Sequence, residues 1–330
     1  MAANDLASHL NIFDGVEPFS GYVDKGFTVD FVGQRTDARF WSTRTTPVEE
    51  IGGCEVRTEL PGLSSGEDWF EYYNWFAAAR EARGSYVMMT LGSCFGLQVV
   101  GSYLALQAVN PMPAMLVAVD AVPENMAMTE KQFRNNGIDP NDHWMIEAAL
   151  GADNKPILFP IGAPGSGAQG CTETNSGATR MKILDRARRA GATEHLAKSL
   201  MLRNSTSLVI DLAPDSEHDF TGEITFVSAV TLKNLLAPFP RIDFIEADLQ
   251  ESEGLVFPPV MDLLTKKVRR VHLGTHSDRT HDKLEKMFAE RDWDVLFSYK
   301  PRQSFETPHG NFDMNDGVLT AVNPAVAYSS

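Results

Sequence analysis

The chain reads as an α/β protein built on a doubly wound, mostly parallel, seven-stranded Rossmann-like sheet. An antiparallel C-terminal hairpin strand closes it, and N-terminal and inserted helical appendages are added. Three observations predict this class. Short apolar runs alternate with helical patterns from residue 84 onward. Within them, residues 84–119 contain no Asp, Glu, Lys, Arg or His, and a charge-free strand–helix–strand unit belongs in mid-sheet with both faces covered. The 330 residues are 43% hydrophobic and 22% charged, a balance that supports a large buried core.

The elements follow in order. Residues 26–41 alternate apolar and polar as a strand and hairpin do. Residues 64–82 form a helix that Ser64 or Ser65 can cap, with Trp69, Tyr72, Tyr73 and Phe76 on one face toward the sheet. The repeat then runs strand 85–91, helix 95–109, strand 115–120, helix 124–136, and strands 143–150 and 157–161. Residues 162–179 are small and polar, hence a loop, and 180–202 form an inserted helical segment broken near Gly191. Strands 223–229, 242–247 and 268–273 alternate with helices 232–237, 255–266 and 281–291. Strands 294–299 and 317–322 close the chain across a loop holding Pro301, Pro308 and Gly310. Residues 1–83 are therefore a cap of hairpin and aromatic helix. Residues 84–330 are the main domain, with a lid or interface insertion at about 162–205.

Composition excludes several roles. A formal charge of −15 argues against a general nucleic-acid binder, which needs a basic face. Gly92, Ser93, Gly96, Gln98, Gly101, Ser102 and Gln107 interrupt the charge-free stretch, so it is not a membrane span. Cys54, Cys94 and Cys171 lie far apart and indicate neither a disulfide framework nor a zinc knuckle. The first basic residue is Lys25, so no signal-peptide pattern opens the chain and a cytoplasmic location is expected. Residues 180–203 are locally basic, which suits a solvated helix face, a lid over an anionic substrate or a contact with an acidic subunit.

The first strand of the charge-free unit ends in Leu91-Gly92-Ser93-Cys94-Phe95-Gly96 and opens a helix. Small residues there admit a nucleotide-like ligand to the backbone and to unpaired N–H groups, although close packing alone also selects such residues. The second strand ends in Asp120, placed to accept from both ribose hydroxyls or else to sit at a helix N-terminus. Glu147, after the third strand, would border the base.

These residues resemble, in their order along the chain, FkbM-type S-adenosylmethionine-dependent methyltransferases. The likeness is carried by WFEY at 69–72, LGSCFG at 91–96, AVDAVPEN at 118–125, FRNNGIDPNDHWMIEAALG at 133–151, IDFIEADLQESEG at 242–254 and HLGTHS at 272–277. It spans roughly residues 64–323, apart from 165–205. The resemblance implies a seven-stranded methyltransferase sheet, S-adenosylmethionine as cofactor, and O-methylation of a hydroxyl on a sugar or polyketide-like metabolite. It assigns Thr90, Gly92, Ser93, Cys94 and Gly96 to the methionine side of the cofactor, Asp120 to the ribose, and Glu147 with Ala148 to the adenine edge. Asp248, Gln250 and Glu253 match the family's Asp-x-(Gln/Glu)-Gly-x-Glu segment. Thr90 stands where the family commonly has an acid, and Cys94 and Glu251 stand where it has glycine. A member that has lost catalysis and serves as a binding module, through the basic 180–203 segment, is therefore the alternative.

Methyl transfer from a sulfonium is an in-line displacement that needs alignment and, for a hydroxyl acceptor, a base. Asp248 and Glu253 follow the fourth strand, and His272, His276 and Asp278 follow the fifth, so both groups can face one crevice. His276 is the candidate general base, oriented by Asp248 or Glu253; an ordinary loop histidine and a first-turn acid are the plain alternatives. Glu71 on the aromatic helix, Gln169 in the glycine-rich loop, Gln250, His272 and His309 are the candidates to touch the acceptor. A divalent metal held by His272, His276 and His281 with Asp248 or Asp278 is the weaker reading, because His276 and His281 miss the helical pair spacing. A nicotinamide-dependent oxidoreductase would share the glycine loop and Asp120 but leaves the 248–253 and 272–277 segments unexplained. The expected partner is a small hydroxylated acceptor, with no nucleic acid and no membrane; a homo-oligomer is compatible with the sequence.

Overall fold

The charge-free segment supplies the middle of the sheet. The computed structural model describes residues 6–41, 45–162, 210–211 and 220–326. Within it β1 (Tyr86–Leu91), β2 (Ala114–Asp120) and β3 (Trp144–Glu147) run parallel, and β4 (Ile242–Ala247) and β5 (Val268–Thr275) extend the sheet from the other side of β1. β6 (Asp294–Tyr299) lies at the far edge, and β7 (Gly317–Val322) inserts antiparallel between β5 and β6. The order is β3-β2-β1-β4-β5-β7-β6. This is the seven-stranded, mostly parallel Rossmann-like sheet that the sequence predicts.

Side-chain alternation sends successive strand residues to opposite faces. Tyr86, Met88, Leu116, Ala118 and Phe244 pack under α1 (Glu67–Glu81), α2 (Leu97–Val109) and α3 (Pro123–Asn135). Met89, Leu91, Val117, Val119, Ile245 and Val271 pack under α4 (Leu232–Leu236), α5 (Glu253–Val256), α6 (Met261–Lys267) and α7 (Asp278–Ala289). In α1, Phe70, Trp75 and Phe76 are fully buried, each contributing about 1.5–3 kcal/mol by leaving water. The expected single aromatic face is thus exceeded. The 3-10 helix Leu6–Phe13 covers the outer side of α1, with the Phe13 ring 5.4 Å from Phe76 and 6.4 Å from Trp69. Gly101 of α2 lets that helix close on α1, since a Cβ there would stand 2.2 Å from the Trp75 ring.

Three expectations change. Leu63–Ser65 wind into a 3-10 turn, so α1 starts from Gly66 at φ 63 with no side-chain cap, and neither Ser64 nor Ser65 fills that place. The expected loop before β7 is a hairpin, Gln303–Thr307 against Gly310–Met314. Strand Ile157–Gly162 pairs antiparallel with Phe220–Val227 in a small separate sheet. Gln169, Cys171 and the basic 180–203 segment lie outside the described residues. Among the described residues no helix is long and apolar enough to cross a membrane.

The N-terminal hairpin, Phe27–Val29 with Arg35–Asp37, is tied to the helical layer beside the glycine loop. Gln34 donates to the Leu97 carbonyl at 2.9 Å, Gln132 donates to Thr36 at 2.8 Å, and Lys131 meets Asp37 at 2.6 Å. Phe95 of the loop lies 4.9 Å from the Trp41 ring and 5.8 Å from Phe40.

Candidate functional site

The connections from β1 and β4 leave the sheet in opposite directions, which opens a crevice at the carboxyl ends of these two strands. Gly92 turns the chain there at φ 89, and a Cβ on it would stand 2.1 Å from the Asp248 carbonyl oxygen, so only glycine fits. Asp248 in turn donates its N–H to the Leu91 carbonyl at 3.0 Å, which clamps the two strand ends together. Cys94 sits at φ 49 and Glu251 at φ 79. These are two of the positions where the resembled family carries glycine, and the backbone shows why.

Asp120 is 8% exposed and turned into the glycine loop. Its Oδ2 accepts from the Cys94 N–H at 2.8 Å, and its Oδ1 accepts from the Val122 N–H at 2.9 Å and from Asn125 at 3.2 Å. Burial pushes the carboxyl up to about 6, against the pull of those donors. A carboxylate offers about four acceptor sites, and these donors, with the Ala121 N–H also bearing on the group, engage most of them. Ser93 is buried, its hydroxyl 3.3 Å from Thr129. Glu147 lies opposite Asp120 in register and is exposed, while the Ala148 N–H donates to the Asp120 carbonyl at 2.8 Å.

A polar row crosses the sheet one step below. Thr90, Glu246, His272 and Thr320 are register neighbours on β1, β4, β5 and β7. The Thr90 hydroxyl donates to Glu246, so the position without the family acid touches an acid from the adjacent strand. Burial pushes Glu246 up to about 8. Glu71 of α1 is raised well above its usual range, by burial first and then by Asp68 and Glu246, and it accepts from Gln98 at 2.5 Å. His272 is 2% exposed, its Nδ1 lying 2.9 Å from the Thr320 hydroxyl and 3.0 Å from the Asn74 amide. Burial, then Arg270, pushes it down to about 3, so it is neutral. This places His272 in the contact between α1 and the sheet and away from open space.

The outer end of the crevice gathers groups from three segments. His276 Nε2 lies 3.4 Å from Asp248 Oδ1 and 3.5 Å from Asp316 Oδ1, and the Gln250 amide nitrogen lies 2.8 Å from His276 Nε2 and 3.0 Å from Asp248 Oδ1. Burial opposes charge on the imidazole, but the carboxylates of Asp316, Asp248 and Glu253 outweigh it and hold the group up at about 9. Asp248 is raised by the surrounding protein, tempered by the 40% of its side chain that meets solvent. Glu253 is fully buried and pushed up to about 8, first by burial and then by Asp248. Its Oε1 accepts from the Leu249 N–H, while its Oε2 and the Nδ1 of His276 have no partner among the described residues. Glu251 turns away and accepts from Ser277 at 2.8 Å and Thr280 at 2.6 Å at the start of α7.

A polar cleft of about 500 Å³ lies beside this group, lined by Ser64, Ser65, Glu67, Asp68, Asn311 and Asp313 among others. Glu67 joins cleft and cluster by accepting from the Asp316 N–H at 3.0 Å. His309 sits at the exposed turn of the 303–314 hairpin, its N–H donating to Thr307 at 3.1 Å. His281 is fully buried, bonded to Thr275 and Ser298 at 2.9 Å each, so the histidine set first considered for a metal does not converge. Among the described residues the group able to hold an ion is Asp248, His276 and Asp316. Sequence reasoning missed Asp316, whose Asn-Asp-Gly setting signals only a turn. It also missed Glu246, although an acid inside the apolar run IDFIEA is itself a signal.

No family model matches the chain. It is 24% identical over 275 residues to a curated protein of Jannaschia sp. (strain CCS1) named "Putative methyltransferase", an alignment covering 81% of this chain and 82% of that one. Among solved structures, it is similar to precorrin-6Y C5,15-methyltransferase from Geobacter metallireducens GS-15, with TM-score 0.39 and 7% identity over 88% of this chain and 97% of that one. It is also similar to an O-methyltransferase from Bacillus cereus in complex with S-adenosylhomocysteine, with TM-score 0.35 and 9% identity over 77% and 80% of the two chains.

Proposed function

We propose that this chain is an S-adenosylmethionine-dependent methyltransferase that transfers the methyl group to a hydroxyl of a small sugar- or polyketide-like metabolite. The observation that carries the reading is the crevice itself: a left-handed glycine loop at the reversal point of the sheet, held against a strand-end acid on one side and facing a histidine–carboxylate cluster on the other. The methyltransferase name of the Jannaschia relative supports it.

In this reading the loop at residues 92–96 receives the methionine part of the cofactor, Asp120 meets the ribose, and Glu147 borders the adenine. Thr90 and Glu246 lie beside the methionine end, where a carboxylate is expected to meet the cofactor's ammonium group. The acceptor oxygen attacks the methyl carbon in line. The cofactor would supply the methyl group and leave as a neutral thioether, and the hydroxyl proton would pass to His276 in its neutral form, the minority form below about pH 9, beside Asp248 and Glu253. Residues 1–83 and the 162–205 insertion are assigned to the acceptor side, with Glu71, Gln169, Gln250 and His309 as contacts.

Calorimetry with S-adenosylhomocysteine tests the reading. Wild-type protein is expected to bind it, and Asp120→Ala to weaken binding at least tenfold. Absence of binding by folded wild type removes the proposal.

A further inference from the structure

We propose that Asp248, His276 and Asp316 form a binding site for one divalent cation of the magnesium or manganese type, which holds the acceptor hydroxyl. The role in methyl transfer rests on the reading above; the binding of the ion does not.

The three side chains come from the end of β4, the end of β5 and the turn before β7, and their ligand atoms all lie within 4.8 Å of one another. Ligands about 2.1 Å from a small divalent ion stand roughly 3 Å apart when adjacent and about 4.2 Å apart when opposite, so separations of 3.4 and 3.5 Å need only a slight closing. The Gln250 amide nitrogen already lies between the imidazole nitrogen and the Asp248 oxygen, 2.8 and 3.0 Å from them, and donates to Asp248. A cation meets the same two atoms, with Gln250 rotating aside or presenting its amide oxygen.

An independent observation points the same way. Glu253 is fully buried, its Oε2 has no partner among the described residues, and it lies within electrostatic reach of both Asp248 and His276. Three carboxyl groups, one of them fully buried, therefore surround a single imidazole. Arg302 does not join them, since its guanidinium goes to the His276 carbonyl at 2.9 Å. Asp248 and Asp316 keep 40% and 45% of their side chains exposed, so the ion and a hydroxyl can enter from the crevice. Two carboxylates and one nitrogen, without thiolate, suit hard to borderline divalent ions. Bound there, the ion takes the place of a proton on the imidazole and lowers the pKa of a coordinated hydroxyl.

The test uses the full chain and manganese(II) alone, followed by calorimetry and electron paramagnetic resonance. One saturable ion per chain is expected, with spin-echo modulation from a directly bound nitrogen. Asp316→Asn and His276→Gln are expected to weaken binding at least tenfold, and His276→Gln to abolish the nitrogen signal. Asp282→Asn, a surface acid paired with Lys300 at 2.7 Å, should leave affinity within twofold. Thermal melting checks each variant; if His276→Gln does not fold, the half-exposed Asp316→Asn decides. No saturable binding, or binding indifferent to Asp316→Asn, overturns the proposal. S-adenosylhomocysteine binding without manganese binding sinks the ion site alone. Manganese binding with the predicted losses, but no S-adenosylhomocysteine binding, supports the ion site and sinks the methyltransferase reading.

Discussion

The two ends of the crevice treat their titratable groups in opposite ways. Beside β1 and β2 the Asp120 carboxylate meets three donors and its helix and loop are fixed around it. Beside β4 and β5 Glu253 Oε2 and His276 Nδ1 are buried with no partner among the described residues. The buried amide oxygens of Gln34 and Gln132 near the glycine loop share that condition, so what sets the second end apart is that its unpaired atoms belong to titratable groups.

The largest expected effect lies in acid titration of the first end. Burial raises Asp120 from 3.8 in the unfolded chain to about 6. Between these values the folded protein keeps a proton that the unfolded chain has released. The stability contribution is therefore fully present below about pH 4, falls as pH rises through about 6, and flattens beyond, by about 3 kcal/mol in all. Urea denaturation from pH 4 to 7 should show that this component is missing in Asp120→Asn. Next, Asp120→Ala measured at pH 5 orphans the Cys94 and Val122 N–H groups and should lose about 2 kcal/mol. Asp316→Asn, at the other end, should stay within about 0.5 kcal/mol. Equal losses would break the comparison.

Two of the five non-glycine residues at positive φ among the described residues, Cys94 and Glu251, sharpen it further. Glu251→Gly relieves the backbone but removes an acceptor for Ser277 and Thr280, for a net loss of about 1 kcal/mol. Cys94→Gly relieves the same kind of strain and keeps its N–H bond to Asp120, so a gain of somewhat under 1 kcal/mol is expected in thermal melting. Opposite signs at two similar backbones would show that side-chain bonding and not φ alone decides each site.

Much of this was legible in advance because it depends on local pattern. A stretch without charge has to be buried on both faces, and β1 is central for that reason. Strand ends at 91, 120 and 247 follow from apolar runs, and the run ending at 273 falls two residues short of the strand end at 275, which still brings Asp248 and His276 to one edge. What could not be read depends on distant pairing. Asp316 joins the cluster because β7 inserts between β5 and β6, a choice that the turn residues do not encode. His272 reads as a site residue because it neighbours His276 in sequence. The strand period instead sends it beneath α1, where Asn74 and Thr320 complete its bonding. The donors on Asp120 were hidden for a related reason, since the curl of the loop at Cys94 decides where its N–H points. The 303–314 hairpin was masked by its own proline and glycine, which signal turns equally well in a loop.

The account turns on the claim that this crevice, between the ends of β1 and β4, is where the cofactor sits. Ultraviolet crosslinking of methyl-tritiated S-adenosylmethionine to the full chain, followed by peptide mapping, tests it directly. Label is expected in peptides spanning residues 86–96, 114–122 or 246–254, competed away by unlabelled S-adenosylhomocysteine. Label that resists competition, or that maps only to peptides remote from these strand ends, would contradict the claim.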